Sequence, residues 1–298
     1  MKRGGGGAPK LENLPAFLDV RKHCLTSGMR LPTLGLMTKH FLLLVLASCI
    51  AACSNRQESV AQPPREHQAP PNPPAAPQAP PVERLPDDQQ GVIGVVNSSG
   101  RSGAYYVPGG PRLQLLPVLV ILHGSGQSGM EMVETFRTLA KERRFAIIAP
   151  DSRDHDGQLT WEVGDHPGDV TPDLTHTIEC VAWMRAHASF LVDESHVLIA
   201  GYSGGGSSAP YIATNRPGFT HTAVLHGGVF PGGIGPQRIP AWFSTGEQDR
   251  LRPVELVQQA AASLRTLGFS SVSFRSYPGG HELSEPELRE LIDWWLAP

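Results

Sequence analysis

Val197-Leu-Ile-Ala-Gly201-Tyr-Ser203-Gly-Gly205 decides how this 298-residue chain is read. Its opening apolar run has the length and composition of a strand buried on both faces. The Gly-x-Ser-x-Gly that follows at once is the only one in the chain, and a helix is expected behind it, around residues 208–215. A serine between a strand and a helix sits on a sharp, strained turn. Glycines two positions to either side leave room for chain that passes close to that backbone. A serine hydroxyl is a poor nucleophile at neutral pH, so Ser203 would need a base beside it.

The surrounding sequence repeats the strand signal. Residues 118–122, 145–149, 223–225 and 241–244 are short apolar runs. Residues 272–277 alternate, as expected near a sheet edge, and 92–96 with 104–107 read as a leading antiparallel pair. Helix signals fall between them. Ser128 and Glu131 have capping-box spacing, Thr171 precedes Pro172, Pro253 opens an apolar periodicity that Gly268 stops, and Ser284 and Glu287 form a second box. Alternating strands and helices predict an α/β fold, a mostly parallel central sheet flanked by helices. Ligands of such sheets bind at the carboxyl ends of the strands.

Few residues can complete the chemistry. Beyond His226 the only histidine is His281, and Asp249 is the only aspartate between Ser203 and His281. Both follow expected strands, in Thr245-Gly-Glu-Gln-Asp249 and Pro278-Gly-Gly-His281. His281 is therefore the candidate base and Asp249 the acid that orients it, with Glu247 as the alternative acid. A developing oxyanion needs fixed donors. His123-Gly-Ser-Gly126 follows residues 118–122, so the N–H groups of Ser125 and Gly204 are the candidates. His123 reads as a buried residue that fixes its loop. Trp161 and Tyr202 are candidate pocket side chains. His155, Asp156, Asp165, His166, Asp169 and His176 match no metal-ligand spacing and read as a solvated polar loop; neither metal nor cofactor is expected. Cys180, in a helical stretch, reads as a small buried hydrophobe.

Leu122-His-Gly-Ser-Gly126, Pro150-Asp151, Gly201-Tyr-Ser-Gly-Gly205, Gly246-Glu-Gln-Asp249 and Gly280-His281 together resemble the α/β-hydrolase superfamily over residues 100–298. Within it they are similar to phospholipase/carboxylesterase-type and polyhydroxybutyrate-depolymerase-like (feruloyl-esterase-like) serine esterases. The resemblance implies hydrolysis of a small-molecule carboxylic ester through an acyl-enzyme, without a metal. Depolymerase relatives that act on polymers often carry disulfides; a lone Cys180 in the domain points away from a polymer. The stretch 230–241 is short and rich in Gly and Pro, where many relatives insert a helical lid, so no lid domain is expected. A serine peptidase or acyltransferase would share the same triad. A non-catalytic binding module would be expected to have lost one of its members.

The first third reads differently. Residues 1–36 carry no hydrophobic periodicity and are left unassigned, with Met29 or Met37 as possible starts. Residues 37–53 read as a lipoprotein-type signal. Phe41-Leu-Leu-Leu-Val-Leu-Ala-Ser-Cys-Ile-Ala-Ala52 is apolar but shorter than the roughly 20 residues that span a bilayer. Ile50-Ala-Ala-Cys53 resembles a bacterial lipobox, with Cys49 as the other candidate. Residues 54–86 are a Pro-rich tether, extended at about 3.1 Å per residue, and 87–298 form the catalytic domain. The expected location is the bacterial cell envelope, held to a membrane through a lipid on Cys53. A net charge of -3 without a basic block argues against nucleic acid as a partner. Cys53→Ser is expected to move the protein out of the membrane fraction or leave its signal uncleaved. Release by Cys49→Ser instead would transfer the site to Cys49.

Overall fold

The computed structural model describes residues 84–298, apart from 86, 95–99 and 156–157. The leader, the signal with Cys49 and Cys53, and nearly all of the tether lie outside the described residues. Within the stretch expected to be tether, Arg84–Leu85 pairs antiparallel with Gly110–Pro111.

Eight strands form one sheet: β1 (Gln89–Ile93), β2 (Gly103–Val107), β3 (Leu115–Leu122), β4 (Ala146–Pro150), β5 (Leu191–Tyr202), β6 (His221–Leu225), β7 (Ala241–Gly246) and β8 (Val272–Tyr277). Their spatial order is β8-β7-β6-β5-β3-β4-β2-β1. The five pairings from β8 to β4 are parallel; β1 and β2 pair antiparallel at one edge. The leading pair is centred earlier than its apolar pattern predicts, with Val92 opposite Ala104.

Five helices cover the faces: α1 (Gly129–Arg143), α2 (Pro172–His187), α3 (Gly204–Asn215), α4 (Val254–Thr266) and α5 (Glu285–Trp295). The period-2 alternation of strand side chains sorts the core. Leu119 and Ile121 of β3 meet Phe136 of α1 and Leu291 and Trp295 of α5. Val118, Val120 and Leu122 point the other way, to Leu174 and Met184 of α2 and Ile212 of α3. Val224 and Phe243 pack on Val257 and Leu264 of α4. Both faces are buried, which is why the central strands read as unbroken apolar runs.

The helix signals mark real boundaries. Ser128 accepts from the Glu131 N–H while the Glu131 carboxylate accepts from the Ser128 N–H. Thr171 caps α2 ahead of Pro172. Past α4, Gly268 takes a φ of 93°.

The chain runs from β3 to β4 through α1 on one face, then returns to β5 through α2 on the other. β3 and β5 thus lie side by side where the winding reverses, with Leu122 in register with Gly201. The crevice at such a reversal is the standing binding position of an open α/β sheet. Between β6 and β7 the chain makes only a 3-10 turn, Pro231–Gly233, and among the described residues no lid covers the strand ends.

Candidate active site

Ser203 occupies the turn between β5 and α3, at φ 51° and ψ -111°. That conformation costs an L-residue about 1–3 kcal/mol and persists only where its surroundings enforce it. Here the Ser203 N–H donates to Leu225 O at 2.8 Å and the Gly205 N–H to His123 O at 3.2 Å. The flanking glycines are compulsory. A Cβ on Gly201 would lie 2.1 Å from Gly205 O, and one on Gly205 would lie 2.4 Å from Leu122 O. The turn is therefore clamped between the ends of β3 and β6.

Three side chains from three strand ends converge. Ser203 Oγ lies 2.9 Å from His281 Nε2, and His281 Nδ1 lies 2.7 Å from Asp249 Oδ2. His281 is partly open to solvent, while the Asp249 side chain is fully buried. Burial alone would raise the Asp249 carboxyl. Hydrogen bonds from His281, the Arg252 N–H and His226 outweigh it and hold the group well below the usual carboxylate range. Its Oδ1 accepts from the N–H groups of Leu251 and Arg252, each at 2.8 Å. Glu247, the alternative acid, is exposed on the same turn.

The other expected residues sort into those that meet the site and those that do not. Ser125 and Gly204 face each other: a Cβ on Gly204 would lie 3.6 Å from the Ser125 nitrogen. The Gly204 N–H belongs to the first turn of α3, where helix donors lack intrahelical partners. His123 is buried, and burial lowers its proton affinity. Its Nε2 accepts from the Ser152 N–H at 3.0 Å, so its Nδ1 carries the proton and donates to Gly124 O at 2.7 Å. Neutral and doubly engaged, it fixes the loop as expected. Trp161 donates from Nε1 to His123 O at 2.7 Å and lines a cavity of about 530 Å³. Ser125, Gly204, Phe230 and Arg252 also line it.

Tyr202 departs from its expected place in the pocket. Its hydroxyl donates to His281 O, and its ring packs 5.4 Å from the His281 ring and 5.8 Å from that of His226. Strand alternation sets Tyr202 on the face of Leu198 and Ala200, and there its ring packs against both histidines. The polar loop also divides. Asp165 and His166 are exposed. His176 is not in the loop at all: it is buried on α2, with its Nε2 at 2.8 Å from Ser102 O. The described part of the stretch includes a small hairpin, Arg153–His155 with Gln158–Thr160; Asp156 lies outside the described residues. Cys180 is fully buried on α2, and burial pushes its thiol up to about 12, which suits a packing residue.

His226 is the member that sequence reasoning did not single out. Its ring is buried, with Nδ1 2.8 Å from Asp249 Oδ2 and Nε2 3.3 Å from Glu287 Oε2. Glu287 accepts from the Ser284 N–H, as its spacing promised, and also from the Ser244 hydroxyl at 2.6 Å. The one available signal was a histidine directly after an apolar strand, at a strand end where the site was expected. His226, Asp249 and His281 bring ligand-type atoms within 4.8 Å of one another, a spacing open to a divalent ion. The same atoms are already hydrogen-bond partners at 2.7 and 2.8 Å, which accounts for the cluster.

Comparison with known proteins gives the family and the fold. The family model described as "Esterase PHB depolymerase" matches residues 101–280. The chain is 28% identical over 250 residues to "Putative esterase NocK" of Nocardia uniformis subsp. tsuyamanensis, covering 79% of this chain and 71% of that one. It is also 28% identical over 206 residues to "Lysophospholipase-like protein 1" of Mus musculus, covering 60% of this chain and 85% of that one. Among solved structures, S-formylglutathione hydrolase FrmB of Staphylococcus aureus shares the fold. The TM-score is 0.56 at 14% identity, over 70% of this chain and 98% of that one.

The clamped turn makes one substitution decisive. Gly205→Ala is expected to cost about 1–3 kcal/mol through overpacking against Leu122 and, by displacing the first turn of α3, to remove most ester turnover. Urea titration beside an ester assay checks both. A variant of unchanged stability and rate would contradict the clamp.

Proposed function

Because this chain belongs to the esterase PHB depolymerase family and is an α/β-hydrolase esterase, we propose that it cleaves small carboxylic esters through an acyl-enzyme on Ser203. The observation that carries this reading is the unbroken chain of contacts from Ser203 Oγ through His281 to Asp249, at 2.9 and 2.7 Å.

Ser203 Oγ attacks the ester carbonyl carbon while its proton passes to His281 Nε2. The carbonyl oxygen takes up the negative charge, facing the N–H groups of Ser125 and Gly204. His281 then hands the proton to the departing alkoxide as the carbon–oxygen bond breaks, which leaves Ser203 acylated. Water repeats the sequence: its oxygen attacks the acyl carbon as its proton passes to His281, and His281 returns that proton to Ser203 Oγ as the bond from Oγ to the acyl carbon breaks and the acid leaves. Asp249 stays ionised throughout. It holds the imidazole with Nδ1 protonated and stabilises the imidazolium.

Cavity shape supports the substrate class. About 530 Å³ lined by Trp161 and Phe230, with Arg252 at its side, suits a short or aromatic acyl group. The short turn between β6 and β7 leaves nothing to open at an oil surface. The proposal also includes export and lipid attachment at Cys53, supported by the apolar run and lipobox of the sequence. Among the described residues no helix is long and apolar enough to cross a membrane.

Single-turnover kinetics on a chromogenic ester, with circular dichroism as the folding control, tests the roles. Ser203→Ala and His281→Ala should each lose at least about 10⁴-fold in kcat, and the double variant should be scarcely worse than either. Asp249→Asn should lose less than Ser203→Ala. A folded Asp249→Asn of near-normal rate would remove the acid role from Asp249. On an ester panel, acetyl, butyryl and aromatic esters should turn over faster than long-chain triglycerides, with no rise in rate at an oil–water interface. Interfacial activation would contradict the open site.

A further inference from the structure

Asp249 Oδ2 has two histidines on it, and only one of them reaches Ser203. The proton inventory around the second is restrictive. Asp249 Oδ1 accepts two backbone N–H groups and Oδ2 accepts from His281, so the carboxyl is ionised and His226 Nδ1 is a donor. Thr245 offers no substitute. Its hydroxyl has one proton, directed to Arg252 O at 2.7 Å, while its contact to Asp249 is 3.3 Å. On the other side, both Glu287 oxygens already accept, Oε1 from Ser244 and Oε2 from the Ser284 N–H. With those bonds in place, an ionised Glu287 presents only an acceptor to His226 Nε2.

Charge leads to the same assignment. The Asp249 and Glu287 side chains are both fully buried. Among the described residues, the only cationic or potentially cationic side chains within ion-pair distance of either are His226 and His281. Two buried carboxylates beside a neutral ring would lack a counter-charge, a costly state. The other groups facing His226 are the Tyr202 ring at the end of β5 and the His281 ring after β8, at 5.8 and 5.5 Å. His281 must stay neutral to accept the serine proton, so it cannot be the standing counter-charge. Its backbone is pinned as well, at φ 50° with its N–H donating to Ser244 O at 2.8 Å.

We propose that His226 is a positioning residue for the esterase reaction, an imidazolium clamped between Asp249 and Glu287 that fixes the Asp249 carboxylate against His281. This rests on the roles of Ser203, His281 and Asp249 proposed above. Burial disfavours the charged ring, but the bonds and charges of Glu287 and Asp249 outweigh it and raise its proton affinity. The cation offsets both buried carboxylates, so the acid stays ionised when His281 takes the serine proton. It also ties the turn after β7 to α5, the element that supplies Glu287.

Nitrogen-15 NMR of ring-labelled histidines in the wild-type enzyme tests the protonation state. His226 should keep both ring N–H groups from pH 5 to 8 without titrating. A singly protonated His226 ring at pH 7 would overturn the proposal. Kinetics tests the role. Asparagine tolerates positive φ and keeps one donor for Asp249. His226→Asn should therefore fold but lose about tenfold in kcat, one unit of proton affinity at the base, with KM little changed. Adding Glu287→Gln removes the surplus carboxylate and should recover at least about threefold of that loss. A residue that merely packs would gain nothing from a second buried substitution beside it, so a double variant no faster than His226→Asn would count against the clamp. Turnover by Ser203→Ala would instead defeat the triad reading, whatever the state of His226.

Discussion

The register of Leu122 on Gly201 is the constraint on which the rest of the site depends. It sets the ends of β3 and β5 side by side, so that the loop after one and the turn after the other occupy the same few ångströms. Only glycine at 201 and 205 permits that approach. The His123 carbonyl completes the junction, accepting from the Gly205 N–H and from Trp161 Nε1. One oxygen thereby joins the loop after β3, the first turn of α3 and the long segment that carries Trp161. Strain at Ser203 is sustained because three elements hold it, and in the proposed reaction donors fixed in this way would need no rearrangement as charge develops on the substrate.

Charge is arranged with similar economy on the far side of Ser203. Asp249 is buried yet ionised because four hydrogen-bond donors surround it. Tyr202, next to the serine, reaches across to the His281 carbonyl and packs on both histidine rings. The strand that presents Ser203 thus also braces the loop that presents His281. The proposed catalytic groups after β5, β7 and β8 are coupled by side-chain contacts as well as by the sheet.

Much of this was legible in the chain. Buried strands announce themselves because both faces need apolar residues, and the candidate triad falls where those runs end. What escaped did so for physical reasons. β5 is twelve residues long, but 191–196 include Asp193, Glu194, Ser195 and His196, so an apolar-run reading sees only its buried half. α3 begins at Gly204 rather than near 208. Three consecutive glycines disfavour a helix locally, and packing against β3, β5 and β6 overrides that preference. Glu287 reads as a helix cap because its partner at Ser284 is three residues away. Its other partners, Ser244 and His226, are 43 and 61 residues away and meet it only through the fold. For the same reason His226 is silent in sequence: both carboxylates that give it meaning are long-range neighbours. Tyr202 misleads because adjacency to the serine suggests the pocket, while strand alternation turns it toward the histidines.

The central claim is that Ser203 carries the acyl group during ester cleavage. Rapid quenching of the enzyme with an activated acyl ester, followed by peptide mapping in a mass spectrometer, observes that bond directly. The account predicts one acyl group per chain, on the peptide containing Ser203, formed at the rate of the kinetic burst and lost at the steady-state rate. Turnover without an acylated Ser203 peptide, or an acyl group that forms on another residue at the burst rate, would contradict it.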